Sequence, residues 1–325
     1  MKLYDYNQQD SGLTFDLKET RPTPGIPDAF TYKLQYRSPY VTGNKLNDRV
    51  YCEIYSPDRL QQPSRLLIFL HGFSTRKNKM DNYYHFIKQA VNHGYTCAFP
   101  NLPLHLNRAP EDSQSGKELI YYDDLDTMEY FHQCVVDIRR LIDIMHNWPV
   151  TTIHICGLSM GSIVSVLTMA HEPRIDKGVL LIGGAHWEQI HWNGILRFVL
   201  KGNCADHGKI NRSKCHSYYS HFPAFLKQFK ASGNGDIDTE KLKSDSPDLA
   251  KMCFLCDPLA FAHRLDPQQI LMINARFDFY FSRKSTLMLH KELGQPEIHW
   301  MANFHSSKIL TDSRVINKIF SFFKS

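Results

Sequence analysis

The pentapeptide Gly157–Gly161, which reads Gly-Leu-Ser-Met-Gly, constrains the fold of this chain more than any other stretch. It follows a strand-like run, Thr152–Cys156, and opens an apolar helical run that Pro173 ends. A serine between a strand and a helix, with glycine two residues before it and two residues after it, is typical of a nucleophile elbow. The serine takes a positive φ there, and only small flanking residues let the strand and the helix approach each other. The pattern predicts that Ser159 is a nucleophile.

Short β-rich runs alternate with helical runs along the chain, which predicts an α/β fold with a mainly parallel central sheet and helices on both faces. Among the helices, a long one is expected from near Asp126, with Glu129 at the capping-box spacing. Its apolar stripe, like those of the other helices, indicates packing against the core. The seven predicted strands are Arg49–Tyr55, Leu66–Leu70, Thr96–Phe99, Thr152–Cys156, Gly178–Ile182, Ile270–Asn274 and Ile298–Met301.

The sequence divides into an N-terminal extension, a core and an insertion. Residues 1–45 contain several prolines, show weak periodicity and lead into an edge hairpin. Residues 186–265 separate two strands that a minimal α/β sandwich joins by one helix, and they are too many for a loop. Their aromatic segments predict a helical cap, inserted between the sixth and seventh predicted strands when the edge strand of the hairpin is counted. The core then comprises residues 46–185 and 266–325.

The composition excludes several classes of function. Hydrophobic residues make up 42% of the 325 residues and charged residues 22%, as in ordinary globular proteins rather than disordered or fibrous ones. The net charge of +5 is dispersed without a basic block, so nucleic acid is not an expected partner. No apolar run approaches the ~18 residues of a membrane span, and the N-terminus lacks the apolar core of a signal peptide. We expect a cytoplasmic protein without an integral membrane span, and secretion independent of a signal peptide stays open.

Neither a metal nor a cofactor is expected. Eight cysteines without a secretory signal predict free thiols rather than a disulfide framework. Cys253 and Cys256 have the spacing of a metal or redox pair, and Cys204 and Cys215 lie in the same insertion. A structural zinc site usually contains two such tight pairs, which the latter two cysteines do not form. No phosphate-binding glycine loop and no dinucleotide fingerprint follows any predicted strand.

The partners that a serine nucleophile needs follow it in the chain. The serine requires a base, and the base requires a carboxylate that sets its tautomer and stabilises its charged form. Asp278 comes just past the last predicted strand but one, and His305 comes between the last strand and the last helix. This order predicts a catalytic triad of Ser159, Asp278 and His305 at one rim of the sheet. His299, another candidate base, is expected to point into the sheet packing.

Acyl transfer also needs hydrogen-bond donors for the negative charge that develops on the carbonyl oxygen. One donor is usually the backbone N–H after the nucleophile, and another comes from the loop after the third strand. Met160 directly follows the serine, and Phe73 lies in the loop that follows Leu66–Leu70. We therefore predict that the amides of Met160 and Phe73 form the oxyanion hole, with Ser74 as an alternative to Phe73.

From about residue 51 to the C-terminus, the chain resembles α/β hydrolases of the esterase, lipase and dienelactone-hydrolase group. The resemblance implies the α/β-hydrolase fold and a cofactor-independent serine hydrolase. It covers motifs already described and two further loop segments. These are His71–Gly72, Gly157–Gly161, Asp278 and His305, with Pro103–Pro110 and Asp257–Leu259 as the loop segments.

The expected reaction is cleavage of a carboxylic ester or thioester through an acyl-enzyme. A small-molecule or lipid ester is the expected substrate, and the aromatic cap favours an apolar acyl group. Two alternatives stay open. A peptidase would use the same three side chains, and a catalytically silent binding or interaction protein would keep the fold without turnover.

Overall fold

The central feature of the molecule is a nine-stranded sheet. A computed structural model describes residues 2–6, 14–201, 203–204, 208–231, 237–238 and 251–325. Most of the polar stretch Ser232–Ser246 lies outside the described residues. In chain order, the strands of the sheet are β1 (Phe15–Thr20), β2 (Phe30–Arg37), β3 (Arg49–Ser56), β4 (Ser64–Leu70), β5 (Tyr95–Pro100), β6 (Val150–Leu158), β7 (Lys177–Leu181), β8 (Ile270–Phe277) and β9 (Glu297–Phe304).

The sheet is mainly parallel, as predicted. Its spatial order is β9-β8-β7-β6-β4-β5-β3-β2-β1. All neighbours from β9 to β5 pair in parallel, whereas β3, β2 and β1 add antiparallel pairs at one edge. The first 45 residues therefore contribute two strands to the central sheet. The carboxyl ends of β6, β8 and β9 lie along the same edge.

Nine α-helices lie within the described residues, four of them between β7 and β8. None of the helices in the described ranges has both the length and the apolar character needed to cross a membrane. The helices are α1 (Asp81–Asn92), α2 (Asp124–Met145), α3 (Met160–Met169), α4 (Trp187–Trp192), α5 (Arg212–Tyr219), α6 (Phe222–Ala231), α7 (Met252–Leu255), α8 (Arg283–Glu292) and α9 (Ser313–Lys324).

Helices cover both faces of the sheet, which explains why the strands are almost continuously apolar. On β4, Leu66 and Ile68 pack in the cluster that contains the buried side chains of α2, α3 and α8. Leu67 and Phe69 point the other way, into the cluster formed by α1 and α9. All four side chains are fully buried. The strand alternation therefore divides the core into two layers, one on each face of the sheet.

Helix α2 begins earlier than the sequence pattern indicated. Its N-cap is Asp123, whose Oδ1 accepts from the Asp126 amide at 2.9 Å, while the Asp126 side chain accepts from the Asp123 amide. The prediction of a capping box between Asp126 and Glu129 is therefore wrong. Acidic residues three positions apart occur twice in this stretch. When the helix begins at the earlier pair, it includes Leu125, which packs against the core.

Buried side chains hold the insertion between β7 and β8 at two points. Asp257, fully buried, accepts from the amides of His186 and Trp187 at 3.1 and 2.9 Å and so caps the start of α4. Burial raises the pKa of this carboxyl to about 6. At the other point, the buried Tyr4 hydroxyl donates to the Leu255 carbonyl at 2.9 Å. The N-terminal segment, whose Tyr4 amide also donates to His132 of α2, therefore holds the end of α7.

Burial lowers the pKa of the imidazole in eight of the described histidines, of which His263 is the least deeply buried. Such a side chain is neutral in the folded protein but gains a proton in the unfolded chain once the pH drops below about 6.5. The pKa is lowered to about 3 for His71 and His171, to about 4 for His132, His154, His186 and His191, and below its usual value for His105 and His263.

We expect the protein to be labile in mild acid. Because the folded pKa values are depressed, the stability these histidines contribute is fully present above about pH 6.5 and is lost as the pH falls toward 4 and 3. Each of the seven more deeply buried histidines adds a slope of about 1.4 kcal/mol per pH unit in this window. Urea unfolding followed by circular dichroism at several pH values measures the slope. His154→Leu, which removes one buried imidazole far from the serine, should lower the slope by about one proton, and an unchanged slope would contradict this account.

Candidate active site

The turn between β6 and α3 holds Ser159 in a conformation that L-residues rarely adopt. Its φ is 56°, as expected for an elbow. The Ser159 amide donates to the Leu181 carbonyl at 2.8 Å, which ties the turn to the neighbouring strand β7. The Ser159 carbonyl accepts from both the amide and the hydroxyl of Ser162, at 2.8 and 2.6 Å. Hydrogen bonds to both its amide and its carbonyl therefore hold the strained residue in place.

The two glycines of the pentapeptide stand where no side chain fits. A Cβ on Gly157 would lie 2.1 Å from the Gly161 carbonyl oxygen, and a Cβ on Gly161 would lie 2.5 Å from the Leu70 carbonyl oxygen. Both neighbours are backbone atoms, which cannot move aside as a flexible side chain would. The spacing seen in the sequence thus reflects a three-way approach of β4, β6 and α3.

Ser159, His305 and Asp278 form a continuous chain of hydrogen bonds. Ser159 Oγ lies 2.8 Å from His305 Nε2, and His305 Nδ1 lies 2.8 Å from Asp278 Oδ2. The other carboxylate oxygen, Oδ1, accepts from the amides of Tyr280 and Phe281 at 2.7 and 2.9 Å. Since a carboxylate only accepts, Nδ1 carries the imidazole proton and Nε2 is free to accept the serine proton.

The structure brings together side chains that are far apart in the sequence because all three follow carboxyl ends of parallel strands. Ser159 follows β6, Asp278 follows β8 and His305 follows β9. The side chains of Asp278 and His305 are 8% and 12% exposed, so most of this polar chain is shielded from water. This arrangement can move a proton from a hydroxyl to an imidazole whose charge a carboxylate stabilises.

The side chain of His299 does not point in the direction that the strand alternation predicted. Its side chain is 40% exposed, and Nε2 lies 2.8 Å from Glu297 Oε1. The expectation that it points into the sheet packing is wrong because β9 is the edge strand, where one flank has no neighbour. His299 is on the surface of the sheet edge, away from the contacts of Ser159.

The loop after β4 passes beside the serine. A Cβ on Gly72 would lie 3.4 Å from the Ser159 Cβ, and Phe73 and Met160 line the same pocket as Ser159. Within the described part of the chain, neither the Phe73 amide nor the Met160 amide has a hydrogen-bond acceptor. Ser74, the alternative donor, is one residue further along the same loop and is exposed. Two backbone donors are therefore available near the serine.

The peptide unit that carries the Phe73 N–H is held through its carbonyl oxygen, which belongs to Gly72. This oxygen accepts from Thr75 Oγ1 at 2.8 Å and from His71 Nδ1 at 3.0 Å. His71 Nε2 in turn accepts from the Leu102 amide at 3.1 Å, so the proton of this imidazole is on Nδ1. Burial lowers the pKa of His71 to about 3, which keeps this tautomer neutral. The direction of the Phe73 N–H is thereby set.

A second loop, which follows β5, packs against the loop that contains Phe73. His105 Nε2 lies 2.9 Å from the Phe73 carbonyl oxygen, and Ser115 Oγ donates to the Thr75 carbonyl at 2.6 Å. Gly116 has a φ of 76°, and a Cβ there would lie 2.6 Å from the Phe73 oxygen. His105 belongs to Pro103–Pro110, the segment that the sequence singled out only by resemblance, and Ser115 and Gly116 follow it in the same loop. Its packing against the Phe73 loop is a role that no local pattern indicated.

A mostly apolar pocket of about 320 Å³ lies next to Ser159. Its walls come from α2 and α3 on the core side and from the insertion on the other. The imidazole of His191, which also lines it, has a pKa lowered to about 4 by burial and is neutral. The apolar wall residues include Phe131, Ile163, Trp187, Ile190, Trp192, Leu196, Leu200, Ile210 and Tyr219.

Three cysteines of the insertion, Cys204, Cys215 and Cys253, also line this pocket. None of the three is in a disulfide within the described residues, and burial raises the pKa of Cys215 to about 11 and that of Cys253 well above its usual value. Neutral thiols behave as small apolar groups. Across the described ranges, no group of three or more His, Cys, Asp or Glu side chains is arranged to hold a metal ion.

Comparison with known proteins identifies the fold. No protein-family model and no curated protein sequence matches the chain. Among solved structures, an acetyl xylan esterase from Paenibacillus sp. R4 is similar with a TM-score of 0.62 and 12% identity, over 96% of this chain and 89% of the esterase. Acetyl xylan esterase 1 from Thermoanaerobacterium sp. JW/SL YS485 gives 0.58 and 17%, over 95% and 88%. The Pyrococcus furiosus esterase Pf2001 gives 0.51 and 13%, over 98% and 96%. At such identities the likeness shows the fold alone, and the predicted architecture is confirmed.

Proposed function

We propose that this chain, which has the α/β-hydrolase fold, is a serine hydrolase that cleaves a carboxylic ester or thioester. One observation carries the proposal. Ser159 Oγ, His305 and Asp278 are joined by two contacts of 2.8 Å, and the serine opens onto an apolar pocket. This is the geometry that nucleophilic catalysis by a serine requires.

In the proposed acylation step, Ser159 Oγ attacks the carbonyl carbon of the substrate while His305 Nε2 takes the hydroxyl proton. Asp278 stabilises the imidazolium through Nδ1–H. The carbonyl oxygen becomes an oxyanion, which accepts from the amides of Phe73 and Met160. His305 then gives its proton to the departing alcohol or thiol, and the acyl group stays on Ser159.

In the proposed deacylation step, a water molecule takes the place of the leaving group. His305 Nε2 accepts a proton from this water as its oxygen attacks the acyl carbon. The oxyanion forms again in the same hole, and the proton returns to Ser159 Oγ as the carboxylic acid leaves. The chain's own side chains and amides supply every group that these two steps need.

We further propose that residues 186–265 form a cap over a core of residues 46–185 and 266–325, and that the substrate carries an apolar acyl group. Three helices of the insertion, α4, α5 and α7, and the indole rings of Trp187 and Trp192 support this, because they line the same pocket as the serine. Burying an alkyl chain among such side chains is favourable by about 0.8 kcal/mol per methylene. A peptide substrate, with its many polar groups, would lose hydrogen bonds to water in such a pocket.

We expect a fluorophosphonate probe to label the native protein at one residue, Ser159. Ser159→Ala should abolish labelling, and His305→Gln should slow it at least about a thousandfold, because the hydroxyl then lacks its base. Mass spectrometry of the labelled peptide identifies the residue. Ser307→Ala, which removes another hydroxyl at the pocket, should leave labelling intact. Absence of labelling in well-folded protein would favour the catalytically silent alternative.

We expect the Thr75 hydroxyl to affect turnover through the Phe73 amide. Thr75→Val removes a hydrogen bond to the Gly72 carbonyl but keeps the side-chain shape, and should lower kcat by about tenfold with little change in KM. Tyr83→Phe is the matched control. It removes a hydroxyl that lies 2.7 Å from Thr75 Oγ1 and also contacts the Gly72 backbone, yet leaves the bond from Thr75 to the Gly72 carbonyl in place, so its kcat should fall less than that of Thr75→Val. Equal losses in both variants would contradict the role of Thr75.

We expect kcat/KM to rise along a series of p-nitrophenyl esters from acetyl to octanoyl, by up to about fourfold per added methylene. Leu200→Trp places a larger side chain in the pocket and should reduce kcat/KM for the long esters while sparing acetyl. Steady-state kinetics of both proteins over the series gives the comparison. A strict preference for acetyl in the native protein would contradict an apolar acyl site.

A further inference from the structure

Large apolar side chains are exposed immediately beside the triad. Phe277 and Phe279 flank Asp278 and are 53% and 59% exposed, and Phe304, which precedes His305, is 59% exposed. The centroid of the Phe304 ring lies 5.8 Å from those of both other rings. The three phenylalanines thus form one contiguous cluster on the solvent side of the two loops that carry the acid and the base.

The cluster continues onto the insertion. The Ile195 amide donates to the Phe279 carbonyl at 2.7 Å, which places the turn 195–198 against the acid loop. Ile195 is 43% exposed and Phe198 is 72% exposed. Of the eight large hydrophobic side chains exposed in the described part of the chain, these five lie together. We call them the rim face, and such a concentration is unlike the scattered apolar residues of an ordinary surface.

Three exposed arginines contact a ring of the rim face, lie next to one in the chain, or lie on a nearby ring. The Arg197 guanidinium lies 4.4 Å from the centroid of the Phe198 ring, and Arg276 directly precedes Phe277. Arg283, at the start of α8, lies 5.2 Å from the centroid of the Trp300 ring. Among the described residues, no carboxylate forms an ion pair with any of the three. The rim face therefore combines apolar area with uncompensated positive charge.

Acidic side chains are nearly absent from the segments that build the rim face. Residues 194–201 contain two cations and no acid, and residues 276–284 contain three cations and one acid. That acid is Asp278, whose two oxygens accept from His305 and from two backbone amides. These two segments of the rim face therefore carry a net positive charge, although the chain as a whole has a net charge of only +5.

The rim face borders the mouth of the pocket. Leu196 lies between Ile195 and Phe198 in the chain and lines the pocket, as do Tyr280, next to Phe279, and His305, next to Phe304. Whatever contacts the face is therefore brought next to the entrance of the candidate active site.

We propose that the rim face docks onto an anionic lipid surface. The phenylalanine rings enter the boundary between headgroups and acyl chains, while the arginines contact lipid phosphates. Phenylalanine is among the side chains that surface-bound segments bury at this boundary, with Lys or Arg beside them. Docking itself does not depend on the chemistry of Ser159, whereas delivery of lipid esters to the pocket rests on the proposed function.

Charge argues against a second copy of the chain as the occupant. In a two-fold symmetric contact each patch meets its own copy, which would bring together two positively charged patches that each contain Arg197, Arg276 and Arg283. Like charges at an interface oppose association. Anionic phosphates reverse the sign of this interaction, so an anionic lipid surface complements both properties of the face.

The test is cosedimentation of Ser159→Ala protein with phosphatidylcholine vesicles that contain no phosphatidylglycerol or about one third of it. We expect binding to the anionic vesicles, weakened by high salt, and at least about tenfold weaker binding to neutral ones. Within the Ser159→Ala background, Phe198→Ser and Arg197→Glu should each weaken binding by about tenfold. Val41→Ser and Lys33→Glu, matched exposed positions outside the rim face, should change it less than about twofold.

Each other outcome counts against docking. Binding that is absent, equal on neutral vesicles, or unaffected by the rim variants overturns the proposal. A concentration-dependent dimer that Phe198→Ser dissociates would assign the face to a second copy instead. Vesicle binding is measured on Ser159→Ala protein, which lacks the nucleophile, so this test does not depend on hydrolysis. If vesicles are bound but the native protein fails to react with fluorophosphonate, the proposed hydrolase is contradicted and docking is not. If the native protein is labelled but no vesicle binding is measured, docking is contradicted and the proposed hydrolase is not.

Discussion

The close approach of three backbone segments at the elbow is the constraint on which the site depends. Gly161 can lie against the Leu70 carbonyl, and Gly157 against Gly161, only because neither carries a Cβ. This contact holds α3 directly over the end of β4 and leaves Ser159 at the crest of the turn with a φ of 56°. It also places the loop after β4 beside the serine. One packing requirement thus positions both the hydroxyl and the amides that face it.

The sheet converts this local feature into a three-residue site. Parallel pairing from β6 through β7 to β8 and β9 sets the distance between the elbow and the two loops that carry Asp278 and His305. Because β9 is the edge strand, the His305 loop has open space on its outer side, where Phe304 is exposed. The position of β9 at the edge of the sheet therefore exposes His299 and also leaves space for the exposed ring of Phe304 in the rim face.

The sequence predicted what has a local signal and missed what depends on contacts between distant segments. Ser159, Asp278 and His305 each follow a recognisable strand, so the order of elements was enough to bring them to one edge. The bond from Thr75 to the Gly72 carbonyl has no such signal, because a threonine in a loop looks alike whether or not a carbonyl faces it. Tyr4 is a similar case, since its partner is 251 residues away. The position of His299 was misjudged because alternation says nothing about which strand lies at the edge.

Two histidines beside Ser159 show how surroundings, rather than residue type, decide what an imidazole can do. His71 donates from Nδ1 to a carbonyl and accepts at Nε2 from the Leu102 amide, so a second proton on Nε2 would face an N–H and break a buried hydrogen bond. His305 faces a carboxylate at Nδ1 and a hydroxyl at Nε2, and a hydroxyl can either donate or accept. A proton that arrives at Nε2 of His305 therefore keeps both of its hydrogen bonds. The first imidazole is suited to holding a backbone in place, and the second is suited to taking up and returning a proton.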